Sequence, residues 1–449
     1  MRSAMWIFVV VLAGSTFRVA AGLPAEIASG AQARRVRRQH AAAAFHDGVL
    51  LVHARSDIDY AADGFRQDPH FYYFTGLENT VGGLLAIDGK SGEGWLFLLP
   101  HGPSSKLGLK PEIQPGPEAA NRLGIEHVVD WAELESFLAR QAGLSAHLYF
   151  VDDPTRLEEL PLNLLDRKAP FAPLWLQVIL QKWPAFEAQD AAERVHTLMA
   201  VQDAAEIAAL RSVGKATVAA ITAGMRAIRP EVSQRSVEVA VQNACWGAGA
   251  HGGAFWPWAM SGENGVFPRP FASMSRYDHL DQKMKSGDLV RLDVGCEWDH
   301  YQGDLGRTVP VSGHYRDDQR ETWNIFVAAY RAGVAALRER ATIDQVFDAW
   351  KGELLRHRES AKSAMAKRAI DAWSDRKNIP YWEIHTTNLL PALPPEPLRA
   401  GTTINFEPIA SVDGQGFFLE DMFLIKKDGA ELLTPGVPYS ADEIEAAMQ

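Results

Sequence analysis

Four carboxylates set in apolar strands are the residues of this sequence best suited to chemistry. Asp293 lies in the alternating run Asp288-Leu289-Val290-Arg291-Leu292-Asp293-Val294-Gly295, and Asp304 belongs to a stretch, Tyr301 to Val311, that can return beside it. A turn at Trp298-Asp299 puts Asp293 directly opposite Asp304, because facing residues of an antiparallel hairpin share one index sum. Asp413-Gly414, a dipeptide favoured in type I′ turns, pairs Ile404 to Ala410 with Phe417 to Leu424 and brings Glu407 opposite Glu420. Cross-strand partners stand about 5 Å apart at Cβ, close enough to share a cation. Most Asp and Glu side chains are solvated edge residues, and two matched facing pairs in apolar strands argue against that fate here. Without a cation, repulsion would raise at least one carboxyl pKa and leave the group protonated. Oxygen-only ligation suits Mn²⁺ or Mg²⁺ better than zinc, and one or two such ions would activate water and polarise a carbonyl.

The elements that must carry these residues divide the chain. From residue 49 to 186 short apolar strands alternate with helical stretches, as in Val49-Leu50-Leu51-Val52-His53 and Leu148-Tyr149-Phe150-Val151, which reads as an α/β domain. Between Phe186 and Ala248 apolar residues recur at helical spacing, so a boundary belongs near Pro184. Strands return from Phe255, interrupted by helices around Gln319 to Arg340 and Ile343 to Ala372, which makes the second domain α+β.

Composition bounds the function. With 449 residues, 47% of them hydrophobic, the chain can bury two cores; a net charge of -11 argues against nucleic-acid binding. The one basic run, Arg34, Arg35, Arg37 and Arg38, reads as a cap on the mature N-terminus. Residues 1–21 read as an export signal, with Arg2 before the apolar stretch Met5 to Ala13 and a small-residue cleavage site at Val19-Ala20-Ala21. That stretch is far short of a bilayer span, so no stable membrane anchor is expected and the chain is exported, periplasmic or extracellular. Cys245 and Cys296 read as independent thiols.

At these residues the sequence resembles the pita-bread metallopeptidases, specifically aminopeptidase P. Leu292 to Thr308, Leu398 to Pro408 and Phe418-Leu419-Glu420-Asp421 are similar to that family's metal motifs, and Phe65-Arg66-Gln67-Asp68-Pro69-His70-Phe71-Tyr72-Tyr73-Phe74-Thr75-Gly76-Leu77 to the signature of its N-terminal domain. The resemblance implies an aminopeptidase P-like α/β domain over residues 36–184 and a pita-bread α+β domain over 185–449. It implies metal ligation by Asp293, Asp304, Glu407 and Glu420, with Mn²⁺ the expected ion, and a catalytic proton-handling role for Glu407. His385 corresponds to the substrate-side histidine, a catalytic and substrate-binding role. Small peptides would be the partners, in a homodimer or homotetramer.

Three polar positions depart from the pattern. Asn378 stands where the metal-binding histidine is expected, Arg269 where another active-site histidine follows Gly262-Glu263-Asn264-Gly265, and Phe418 where an arginine is expected near the second glutamate. An asparagine oxygen is a poorer transition-metal ligand than imidazole, and Arg269 could pair with a carboxylate of the protein or with a substrate carboxylate. His251 and His300 carry no motif. The sequence therefore reads as an exported metalloaminopeptidase acting on Xaa-Pro peptides, with a pseudopeptidase that binds peptides or metal without turnover as the alternative.

Overall fold

A computed structural model describes residues 25–55, 66–99, 113–144, 147–151, 173–269, 281–379, 381–387, 389 and 394–449. The export signal expected over residues 1–21 and Phe65 lie outside these residues. The N-terminal domain is built on a mixed six-stranded sheet, β1 (Gly48–His53), β2 (Gly83–Asp88), β3 (Gly94–Leu98), β4 (His127–Asp130), β5 (His147–Val151) and β6 (Glu187–Asp190), in the order β4-β3-β2-β1-β5-β6. The last strand pairs in parallel with β5, so this sheet extends to Asp190, past the expected boundary at 184. Two apolar clusters cover its faces, one of which continues into the second domain.

The signature segment folds into the short helix Pro69–Thr75 for local reasons. Asp68 accepts a hydrogen bond from the Phe71 N–H, Pro69 starts the helix with φ already set, and Gly76, at φ 69°, ends it in the left-handed conformation. Its neighbours then clamp the second domain: Arg66 pairs with Glu297 at 2.8 Å, Tyr72 packs against the His300 ring, and Glu78 bonds the His300 imidazole. Both His251, whose carbonyl accepts from Arg66, and His300 thus serve the contact between domains.

The basic run is no terminal cap. It lies in the helix Ala25–Ala44, where Arg37 is buried against Asp203 at 2.8 Å and Arg38 donates to the Phe74 and Gly124 carbonyls. Asp203 also opens the long helix Ala204–Ala227 through a capping box with Glu206. Arginine planes satisfy several carbonyls at once, which suits them to such seams.

The second domain holds a seven-stranded sheet ordered β12-β13-β14-β11-β8-β7, with β15 on β14. Its strands are β7 (Trp258–Ser261), β8 (Leu289–Val294), β11 (Leu305–Pro310), β12 (Tyr381–Thr386), β13 (Thr403–Val412), β14 (Gln415–Lys426) and β15 (Gly429–Leu432), with a small ribbon of β9 (Glu297–Trp298) and β10 (Tyr301–Gln302) between β8 and β11. Helices Asp317–Ala336, Ile343–Arg356 and Ala364–Trp373 pack with it; the single helix expected over Ile343 to Ala372 is two, because Ser363 caps a new start by accepting from the Ala366 N–H.

Cys245 and Cys296 are bonded to each other, contrary to the expectation of independent thiols: the helix Gln234–Gly247 brings its last turn to the end of β8, with the Cα atoms 5.5 Å apart. Sequence spacing could not reveal this, since the two are 51 residues apart. Closing such a loop removes unfolded-state entropy worth about 4 kcal/mol. The Cys245→Ser, Cys296→Ser double variant is expected to unfold at lower urea concentration by that amount; superimposable unfolding curves would show that the bond constrains nothing.

Candidate metal centre

The second hairpin has the expected register. Asp413 and Gly414 sit at its turn with φ 51° and 72°, Phe406 faces Asp421, and Ile409 faces Phe418, so Glu407 stands opposite Glu420. The first hairpin differs. Its turn falls one residue later, at Asp299 and His300, both at positive φ, and Asp293 therefore faces Gly306 rather than Asp304. Moving the turn by one residue changes the pairing by two, and a two-residue shift keeps every side chain on its face. Asp293 and Asp304 consequently still share one side of the sheet, as diagonal neighbours.

One row now crosses five strands: Asp293 beside Gly306, Gly306 beside Glu420, Glu420 opposite Glu407, and Glu407 beside Glu383. The next row brings His385 beside Asn405, and Asp304 enters from the end of β11. His385 Nε2 lies 3.7 Å from Asp304, 3.4 Å from Glu407 and 3.5 Å from Glu420. Of the six positions singled out from sequence, the structure therefore gathers Asp304, Glu407, Glu420 and His385 most closely. Asp293 is bound by Arg291, whose guanidinium lies 2.7 Å from its carboxylate with both groups buried.

Arg269 takes no part in this cluster: it is half-exposed and pairs with the exposed Glu263 at 3.1 Å, which leaves the expected substrate-binding role without a contact behind it. Asn378 is exposed in the turn Arg376–Asn378 that precedes β12, remote in character from a buried ligand position. Phe418 forms the floor beneath Arg291, whose guanidinium carbon lies 4.2 Å from the ring centre.

Sequence reasoning did not single out Arg291, Asn405 or Glu383. Each follows from strand alternation: Arg291 is two residues before Asp293, Asn405 two before Glu407, and Glu383 two before His385, so each shares its neighbour's face. The fully buried Asn405 amide donates to Glu420 at 2.7 Å and to the Asp304 carbonyl at 3.0 Å, tying the two hairpins together. Arg307, equally buried, donates to the Glu420 carbonyl and to Asp421, fixing the backbone that carries Glu420.

The donor set fits a divalent ion. One ligand atom each from Asp304, His385 and Glu420 lies within 4.8 Å of the others. Asp304 Oδ1 and Glu420 Oε2 are buried with no hydrogen-bond partner among the described residues, a costly state for carboxylate oxygens that a cation would relieve. His385 is already oriented for ligation, because its Nδ1 contacts the Thr386 carbonyl at 3.0 Å and so turns Nε2 toward the carboxylates. This placement makes His385 a candidate metal ligand, beyond the substrate-side role expected from its motif.

Electrostatics point the same way. Burial raises the Asp293 carboxyl to about 7 even though Arg291 pulls it down, and burial together with Glu420 pushes Asp304 and Glu407 well up. Burial disfavours the His385 imidazolium, yet Glu420, with the Thr386 carbonyl and Glu383, offsets this and raises its pKa. Carboxyls raised in the folded state stabilise the ion-free protein fully below their unfolded value, 3.8 for Asp293, and lose that contribution as pH climbs through about 7. In chelator the thermal midpoint should therefore fall between about pH 5 and pH 8. At the upper pH a hundredfold excess of Mn²⁺ over its Kd should restore about 2.7 kcal/mol. A chelated midpoint that stays level across this range would mean that neither burial nor mutual repulsion raises these carboxyls.

Two family models match the chain: the aminopeptidase P N-terminal domain over residues 34–149 and metallopeptidase family M24 over residues 208–427. The Xaa-Pro aminopeptidase of Escherichia coli strain K12 is 24% identical over 432 residues, covering 89% of this chain and 93% of its own. Proline aminopeptidase P II from Yersinia pestis superimposes with a TM-score of 0.74 at 22% identity, over 93% of this chain and 99% of that one. Zinc-substituted Escherichia coli aminopeptidase P in complex with product gives a TM-score of 0.74 at 23% identity, over 93% and 98%. At these identities the structural likenesses establish the fold, an N-terminal α/β domain followed by a pita-bread domain. With both domains present in this order, the chain belongs to the aminopeptidase P family and carries its carboxylate row in the M24 metallopeptidase domain.

Proposed function

We propose that the protein is an exported aminopeptidase that uses a divalent metal, Mn²⁺ by preference, to release the N-terminal residue from Xaa-Pro peptides. The observation that carries this reading is the buried row of carboxylates with unpartnered oxygens around His385. Asp304, Glu420 and His385 would hold the ion, with Glu407 at its edge. When bound, the ion would lower the pKa of a water molecule and polarise the scissile carbonyl. Glu407 is the group placed to take a proton from the attacking water and deliver it to the leaving amine. Its carboxyl is raised well above the usual carboxylate range by burial and by Glu420, and added cationic charge would favour its ionised, proton-accepting form. Burial of Asp293, Glu407 and Glu420 keeps bulk water from screening these charges.

Export is supported by the disulfide between Cys245 and Cys296, a bond that persists in oxidising compartments, and by the apolar leader read in residues 1–21. No helix among the described residues is long and apolar enough to cross a membrane. The substrate class rests on the aminopeptidase P relatives.

The binding-only reading has one observation in its favour: Arg269 and Asn378, which stand at positions expected to be histidine, lie outside the buried cluster. The two readings separate in one experiment. With Mn²⁺ present, the purified protein is expected to release the first residue of an Xaa-Pro peptide, and Glu407→Gln to lower kcat by about 10²- to 10⁴-fold while the far-UV spectrum is kept. Metal uptake by the parent protein without any peptide cleavage would instead establish the binding-only reading.

A further inference from the structure

We infer that Arg291 is a built-in cation occupying the Asp293 side of the centre, so that this chain takes a single divalent ion, at Asp304, Glu420 and His385. The inference rests on the metal reading above and specifies its stoichiometry.

Three contacts fix the guanidinium. Its Nη2 binds Asp293 Oδ2 at 2.7 Å, its carbon stacks 4.2 Å from the centre of the Phe418 ring, and Arg291 itself is only 2% exposed. Its Nε and Nη1 have no hydrogen-bond partner among the described residues, so the ring face and Asp293 are what hold it. Phe418 is in turn set by Gly306, where even a Cβ would approach the ring to 1.9 Å. Phe418 stands at a position where the sequence motif leads one to expect arginine. The positive charge missing from β14 is present on β8, brought to the same face by the register that pairs Arg291 with Thr308 and Asp293 with Gly306.

Arginine cannot shed its proton in a protein, so this charge is permanent. A second dication ligated by Asp293 would have to share that one carboxylate with the guanidinium, in a buried setting where like charges are poorly screened. The other pole of the row differs. Asp304 Oδ1 and Glu420 Oε2 are unpartnered, His385 Nε2 points among the carboxylates, and the nearest ligand atoms converge there without Asp293. One ion relieves those oxygens, and Arg291 already serves Asp293.

The test is the number of manganese ions bound, counted by elemental analysis of the purified full chain after equilibration with excess Mn²⁺ and gel filtration. The parent protein should retain about one ion per chain, Arg291→Lys about one, and Arg291→Met about two, since a neutral side chain frees Asp293. Two ions on the parent protein would overturn the inference and leave the metal reading intact; no ion at all would sink both. An Arg291→Met variant that folds and still binds one ion would also overturn it. Should that variant fail to fold, the parent count decides, together with an anomalous-scattering map of Mn²⁺-soaked crystals. A single peak bounded by Asp304, Glu420 and His385 is expected, and a second peak on Asp293 refutes the proposal.

Discussion

The constraint on which the second domain depends is the burial of like charges in one row of a β-sheet. Asp293, Glu420, Glu407 and Glu383 are aligned by strand register, and Asp304 joins them from the neighbouring row. Unit charges 4 Å apart interact by about 4 kcal/mol at the effective dielectric of a protein's outer layers, and by more when buried deeper. Such a row is tolerable only if its members are protonated or if positive charge sits among them. The raised carboxyl pKa values describe the first solution, and the converging unpartnered oxygens invite the second.

The surroundings are organised to make this arrangement stiff. Arg307 and Asp421 form an ion pair at 3.0 Å with both side chains fully buried, and Tyr439 and Thr434 bond the same carboxylate. A buried pair of this kind contributes little net stability, but removing one partner would strand the other. Its use here is positional, because Arg307 also grips the Glu420 carbonyl, so the strand bearing Glu420 cannot slide without breaking the pair. On the opposite side Asn405 spans Glu420 and the Asp304 backbone. The N-terminal domain reaches the same region through Arg66 and Glu78, which hold the β9–β10 ribbon immediately before Asp304. The signature helix thus bears on the site through the position of that ribbon, without supplying a side chain to the cluster.

How much of this was legible in the sequence depended on how tightly local chemistry fixes geometry. Asp413-Gly414 admits one kind of turn, and the pairing derived from it is the one observed. Trp298-Asp299 is a weaker signal than the neighbouring Asp299-His300, where two positive-φ residues make the actual turn, so the predicted facing pair was displaced although the shared face survived. Arg291 escaped notice because an acid is easily seen in an apolar strand while the base two residues before it reads as ordinary alternation. The disulfide and the buried Arg37 and Arg38 depend on contacts across 36 and more residues, which no local pattern encodes. Arg269 and Asn378 were placed by motif spacing alone. Spacing carries no information about whether a loop delivers its side chain inward, and both side chains face solvent to a large degree.

Phe418 and Arg291 become intelligible only as a pair. Considered alone, a phenylalanine in place of a cation beside Glu420 would leave the carboxylate row with less compensation and would argue for a decayed site. Considered with Arg291, the same ring is a platform: its face attracts the guanidinium, its edge fills the space that Gly306 leaves open, and the cation arrives from the adjacent strand at hydrogen-bond distance from Asp293. A sheet permits such an exchange because residues on neighbouring strands share a face, so a charge can change strand without leaving the cluster. The exchange does not extend to the positions of Arg269 and Asn378, where the described structure brings no replacement imidazole into contact with the carboxylates beyond His385. Positive charge thus reaches the row from Arg291 on one side and from the His385 imidazole on the other, with the carboxylate oxygens of Asp304 and Glu420 left between them for a divalent ion.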